Sequence, residues 1–191
     1  MSVAILEPHR KRFSRNEVDR MQDLGFFDCQ RCELIDGVLI DKSGQSPSHA
    51  YALRRVSNWL IGIFTVDQVR SQFPMESAPA DWEWNYPDPD VAVVAEDKEE
   101  FGSRHPRGDE AVLVVEVADN SIRMDRTTKR DLYARAGVPE YWILDISSRQ
   151  LIRHRNPSNG RYGETVTLTE TDSVACAARP DQSIAVRELL S

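Results

Sequence analysis

The sequence predicts an α/β fold, a mixed β-sheet with helices packed on it, and three stretches carry that reading. AVLVVEVA (111–118) and EYWILDI (140–146) are apolar on both strand faces, as strands covered on both sides of a sheet are. Between them, Ile122, Asp125, Lys129, Leu132, Tyr133 and Ala136 fall within one arc of roughly 100° on a helix, the face that packs on such a sheet. ELIDGVLI, two apolar stretches around Asp36-Gly37, carries the strongest short hairpin signal and adds a small antiparallel unit.

The remaining elements follow in chain order. Ser14 and Glu17 have capping-box spacing, which predicts a first helix over about 15–24 that stops at Gly25. Strand, turn and strand are expected over 32–40. After KSGQSPS, Leu53, Val56, Leu60 and Phe64 recur at helical spacing and predict a second helix over about 47–65. Short strands are expected around 68–73, 91–95 and 111–118. Asn120 or Ser121 is placed to cap the next helix, which runs to 136, with Gly137 at its C′ position. RQLIRHR pairs back on EYWILDI as a hairpin, and the remainder has β character with a short helix at AVRELL. The charged run 96–110, with its glycines and proline, reads as a mobile connection.

At 191 residues the chain is about one domain, with residues 1–12 expected as a flexible arm. No apolar run approaches the ~18 residues of a membrane span, and the apolar quartet near the start is too short for a secretory signal, so a cytoplasmic protein is expected. Three cysteines, an odd count, fit a reducing compartment. Net charge is −7, and residues 81–110 alone carry −7, so the rest is neutral. Basic clusters lie at 9–15, 54–55, 123–130 and 149–155. An acidic lobe beside basic patches is compatible with a cation site flanked by phosphate-binding surface; solvated faces explain such runs too.

The chemistry rests on charged residues inside apolar patterns. Lys129 lies in the middle of the core-facing arc, where an ammonium without an anion is costly to bury. Glu116 shares a strand face with Val112 and Val114 and incurs the same penalty. The two relieve each other if strand and helix pack, or if a cation joins them; a structural ion pair is the plainer alternative. Asp90 opens a buried strand immediately after Pro89, on the face of Ala92 and Val94. Hard divalent cations take several oxygen ligands, here expected from Asp90, Glu116 and a backbone carbonyl, that of Val117. An Asp, a Glu and a Lys around one point suit phosphodiester hydrolysis. Packing is the plain reading of Tyr133, and a helix ion pair with Lys129 that of Asp125. On this reading Lys129→Met leaves the fold intact.

Other chemistries lack sequence support. There is no GxxxxGK[ST], dinucleotide fingerprint, GxSxG or HExxH. Cys29 and Cys32 form C-x-x-C without a second pair, so no zinc is assigned. Trp82 and Trp84 are the candidates for base stacking, with packing as the alternative.

Pro89-Asp90 and Glu116 in VVEV match the pattern of the PD-(D/E)XK nuclease superfamily. ELIDG, PDVAVV, VVEV, the spacing from Asp125 through Lys129 to Tyr133, and YARAGVPEYWILD together resemble the Uma-two family of restriction-endonuclease-like proteins, over about residues 13–155. The resemblance implies a restriction-endonuclease-like mixed β-sheet flanked by helices, with extra β-hairpins. It departs from the superfamily two residues after Glu116, where Ala118 stands in place of the usual lysine. The implied lysine is Lys129 on the following helix, in agreement with the face analysis. By the same resemblance Glu33 is a further acidic residue of the site, against the alternative of a solvent-facing hairpin residue. His49 stands where the family tends to have a histidine, and a cap or packing residue is its alternative.

The expected function is therefore a metal-dependent endonuclease hydrolysing DNA. Asp90, Glu116, Lys129 and Glu33 are its catalytic residues, with magnesium (Mg2+) or manganese (Mn2+) on Asp90, Glu116 and Val117. DNA is the expected partner, no membrane is, and a homodimer is left open. The competing expectation is a non-catalytic nucleic-acid-binding or assembly module that keeps the fold and the acidic pocket.

Overall fold

Ser14 caps the first helix reciprocally with Glu17: its hydroxyl accepts the Glu17 N–H at 3.3 Å and its own N–H donates to the Glu17 carboxylate at 2.8 Å. The computed structural model describes residues 11–27, 30–42 and 44–190. Helix α1 spans Arg15–Asp23, and Gly25 beyond it has φ 78°. Residues 1–10 of the expected arm, and Cys29 of the C-x-x-C pair, lie outside the described residues.

Strands β1 (Cys32–Ile35) and β2 (Val38–Asp41) form the expected hairpin, with Asp36 and Gly37 both at positive φ as a tight I′-type turn needs. Helix α2 covers Pro47–Ile63 from its Ser46 cap. Strands β3 (Val69–Ser71), β4 (Val91–Val94), β5 (Ala111–Ala118), β6 (Glu140–Asp145), β7 (Gln150–Ser158) and β8 (Arg161–Thr169) build one six-stranded sheet in sequential order. All its neighbours are antiparallel except β5 and β6, which the helical crossover 122–135 joins in parallel. A small hairpin, β9 (Ser173–Ala175) with β10 (Ser183–Ala185), precedes a short helix at Val186–Leu189.

The two sheet faces are covered separately. Ala52, Val56 and Leu60 of α2, with Val186 and Leu189, pack on Val91, Val93, Leu113, Val115, Val117 and Trp142. Tyr133 and Val138 pack on the other face, against Ala92, Val114, Ala118, Tyr141 and Ile143. Glu116 alternates onto this second face with Val114 and Ala118. Val112 does not, contrary to expectation: it is the extra residue where the β4–β5 register shifts, and it packs toward the first face.

Two further expectations need correction. The connection 96–110 contains two short 3₁₀ turns, and Glu110 gathers Arg104, Lys98 and Arg107 around itself, so ion pairs tie it down. The crossover helix is not uniform: α3 (Ile122–Met124) leads into a π-helical turn, Asp125–Lys129, and then α4 (Arg130–Arg135). Ser121 makes no side-chain cap; its hydroxyl donates to Asp125 Oδ2 at 2.5 Å instead. Among the described residues no helix is long and apolar enough to cross a membrane.

Candidate active site

The sheet register assembles the site. Val91 pairs with Val115 in antiparallel β4 and β5, which sets Asp90, one residue before β4, beside Glu116 on the same face. Asp90 Oδ2 accepts the Val117 N–H at 2.9 Å and lies 3.2 Å from His49 Nε2, in the first turn of α2. The β1–β2 hairpin reaches the site from the side. There Glu33, only 3% exposed, accepts the Asp88 N–H at 3.2 Å, so the solvent-facing alternative for this residue is wrong.

The π turn adds the lysine. Successive residues four apart drift by ~40° on an α-helix, so Asp125 and Tyr133 would stand ~80° apart. The wider π turn takes back much of that drift, and Asp125, Lys129 and Tyr133 all end buried against the sheet. Arg130 N–H and the Tyr141 hydroxyl, the latter at 3.3 Å, both donate to the Asp125 carbonyl that the wider turn frees. Lys129 Nζ then lies 2.8 Å from Glu33 Oε1, 2.9 Å from Glu116 Oε1 and 3.9 Å from Asp125 Oδ1. Tyr133 donates its hydroxyl to Glu116 Oε1 at 2.7 Å, so it touches the site and is not packing alone.

Lys42, just past β2, is a residue that the sequence reading missed. Its Nζ donates to the Asp88 carbonyl at 2.5 Å and stands 3.5 Å from Asp90 Oδ1 and 3.8 Å from Glu116 Oε2. Its signal, a lysine two residues beyond an apolar hairpin strand, is the same as that of an ordinary solvated lysine. Glu33, Lys42, His49, Asp90, Glu116, Val117 and Lys129 all line one cavity of about 210 Å³. Arg31 pairs with Asp88 on its flank. Trp82 and Trp84 lie elsewhere, under the guanidinium groups of Arg15 and Arg12 respectively. Cys32 is a free thiol.

Electrostatics sort these groups. Burial pushes the Glu116 carboxyl up to about 7, with Asp90 and Asp125 adding to the rise and Lys129 and Lys42 resisting it. Burial acts on Asp90 in the same sense, but the His49 hydrogen bond, Lys42 and the Val117 N–H outweigh it and hold Asp90 well below the ordinary carboxylate range. Burial also raises Asp125, against Lys129 and Ser121. For Lys129, burial would lower the pKa, yet Glu116, Glu33 and Asp125 hold it well above the ordinary lysine range. Lys129 is thus the cation for three carboxyl groups. Lys129→Met would strand those groups, which runs against the expectation that it leaves the fold intact.

The donor set suits a hard divalent cation. Four buried carboxyl groups, Glu33, Asp90, Glu116 and Asp125, face two ammonium groups among the described residues, a formal surplus of two negative charges. Asp90 Oδ1 is buried and makes no hydrogen bond. No group of three Asp, Glu, His or Cys side chains among the described residues forms a ready-made metal cluster. What stands between the Asp90 and Glu116 oxygens is the ammonium of Lys42.

No curated protein is significantly similar to this chain. Among solved structures, the chain resembles one titled a "putative nuclease belonging to DUF820" from Anabaena variabilis, with TM-score 0.62 and 13% identity over 83% of this chain and 88% of that one. At that identity the likeness is one of fold: a six-stranded mixed sheet flanked by helices, similar to a nuclease fold. The Uma2 family model, described as "Putative restriction endonuclease", matches residues 16–187. With nearly its whole length matched, and with the sheet of a nuclease fold, this chain belongs to the Uma2 family.

Proposed function

We propose that the chain is a divalent-metal-dependent endonuclease that hydrolyses DNA phosphodiester bonds in the cavity lined by Asp90, Glu116, Lys129 and Glu33. The observation that carries this reading is the division of labour among the carboxylate oxygens. Asp90 Oδ2 is committed to Val117 N–H and His49, and Glu116 Oε1 to Lys129 and Tyr133. Asp90 Oδ1 and Glu116 Oε2 are turned to a shared space. Mg2+ or Mn2+ there, on Asp90, Glu116 and the carbonyl of Val117, would lower the pKa of a bound water and neutralise charge on the phosphate.

The chain's own groups set the geometry for that chemistry. Lys129, fixed by Glu33 and Glu116, presents an ammonium at the cavity wall, where it orients a nucleophile or stabilises negative charge in the transition state. Arg123 lies exposed on the crossover helix beside Asn120 and Ser121 at the cavity rim and offers a phosphate contact; Arg126, also exposed, pairs with Asp145 at 3.5 Å.

The test is relaxation of supercoiled plasmid by the purified chain in Mg2+ or Mn2+, with an Asp90→Asn protein prepared identically. Nicking that stops with chelator, weakens steeply with salt and disappears in the variant is expected. Equal nicking by both preparations would expose a contaminant. Absence of both nicking and DNA binding across a range of divalent ions would favour the non-catalytic module, toward which Ala118 at the superfamily's lysine position points.

A further inference from the structure

We propose that Lys42 is the site's built-in counter-ion, occupying the position between Asp90 and Glu116 in exchange with a divalent cation, so that the two cannot be present together. The inference rests on the metal-dependent reading above. Two lysines serve the cluster, and they are held differently. Lys129 has its side chain 3% exposed, rises from the crossover helix and lies within 3 Å of two carboxylates. Lys42 stands at the end of a two-stranded hairpin, with its side chain 12% exposed at the cavity wall. Its one hydrogen bond in the cluster goes to a backbone carbonyl, that of Asp88. Its carboxylate contacts, 3.5 Å and 3.8 Å, are too long for hydrogen bonds.

The oxygens that Lys42 faces are the ones the protein leaves uncommitted. Asp90 Oδ1 is buried, makes no hydrogen bond and has Lys42 as its cation; Glu116 Oε2 faces the same ammonium. A monovalent group at this spacing neutralises only part of the surplus negative charge and satisfies neither oxygen. A divalent ion in the place of Lys42 cuts the formal surplus from two negative charges to one and coordinates both oxygens. Two cations cannot share so small a space, because mutual repulsion at ~4 Å is several kcal/mol at an intermediate dielectric. Lys42, on its hairpin end, is the one placed to leave.

The experiment is calorimetric titration of the full chain with Mn2+, without DNA, at fixed pH and ionic strength. Wild type is compared with Lys42→Gln, Lys42→Met and Lys42→Arg. Both neutral variants should bind Mn2+ at least about tenfold more tightly than wild type, and Lys42→Arg no more tightly, since it keeps the competing charge. Thermal melts give a second readout: the neutral variants should melt lower than wild type in chelator and gain more from Mn2+. Wild-type-like or weaker Mn2+ binding in both neutral variants would overturn the inference while leaving the metal-dependent reading standing, as would tightening in Lys42→Arg equal to theirs. Absence of Mn2+ binding in all four proteins would overturn the metal-dependent reading, and the inference with it.

Discussion

Two carboxylates lie buried in adjacent strands of the sheet, Glu116 in β5 and Glu140 in β6, and their surroundings differ in kind. Glu140 is fully enclosed: Oε1 accepts the Trp142 Nε1–H at 2.7 Å and pairs with Arg155 at 2.8 Å, and Oε2 accepts the Ala177 N–H at 2.6 Å. One acid meets one base, both oxygens are used, and the result fastens the segment after β9 to the sheet. Glu116 sits instead among three further carboxyl groups and two ammonium groups, with one oxygen aimed at a cavity. A buried charge is therefore no functional sign by itself. A structural carboxylate is neutralised and satisfied within its own set; one built to take a ligand leaves charge and lone pairs over.

The contrast should be widest in catalysis. Asp90→Asn and Glu116→Gln are each expected to lower plasmid cleavage by at least about 100-fold, the scale of removing one preorganised charge from a reacting site. Glu140→Gln, scored per folded molecule, should cleave at close to the wild-type rate. Comparable losses in all three would mean that cleavage reports on the integrity of the sheet and not on the Asp90–Glu116 cavity.

Much of this was legible in the chain, and the failures have physical causes. Helix and strand positions followed from capping, turn chemistry and apolar period, all local in sequence. Glu116 and Lys129 stood out because each interrupts an apolar pattern, and Asp90 because it opens a buried strand directly after Pro89. Glu140 interrupts EYWILDI in the same way, however, and nothing local separates it from Glu116; their partners come from β7, the segment after β9, the crossover helix and the hairpin. Lys42 and the Glu33 orientation were hidden for a related reason, since a two-stranded hairpin buries residues only through what it docks against. The π turn left no trace in the apolar spacing, because it shifts faces by less than the arc used to define them.

Stability separates the two carboxylates in the opposite direction from catalysis. In chelator, Glu140→Gln should lower the unfolding free energy by about 3–5 kcal/mol, because it strips the Arg155 guanidinium and two N–H donors of their anion. Glu116→Gln should change it by about 1 kcal/mol or less, or raise it, since it removes part of a surplus of like charge. Lys129→Met should resemble Glu140→Gln, with a loss of about 3–5 kcal/mol from stranding Glu33, Glu116 and Asp125. Urea unfolding at fixed pH measures all three. A Lys129→Met protein as stable as wild type would mean that its carboxyl partners take up protons at little cost.

The finest distinction lies in pH. Burial raises the Glu116 carboxyl from its ordinary 4.5 to about 7. Between those values the folded chain holds a proton that the unfolded chain releases. Proton binding then favours the native state at the low end of the window, and stability declines as pH rises through it, levelling above about 7. Asp90 is displaced the other way, well below the carboxylate range, so its contribution is present throughout this window and is lost only in stronger acid. In chelator, the unfolding free energy of wild type from urea melts should fall relative to that of Glu116→Gln as pH rises from about 5 to 8, by an amount on the order of a few kcal/mol at most. Parallel curves for wild type and Glu116→Gln would show that Glu116 stays ionised across the window, which would make Lys129 and Lys42 as complete a counterweight to it as Arg155 is to Glu140.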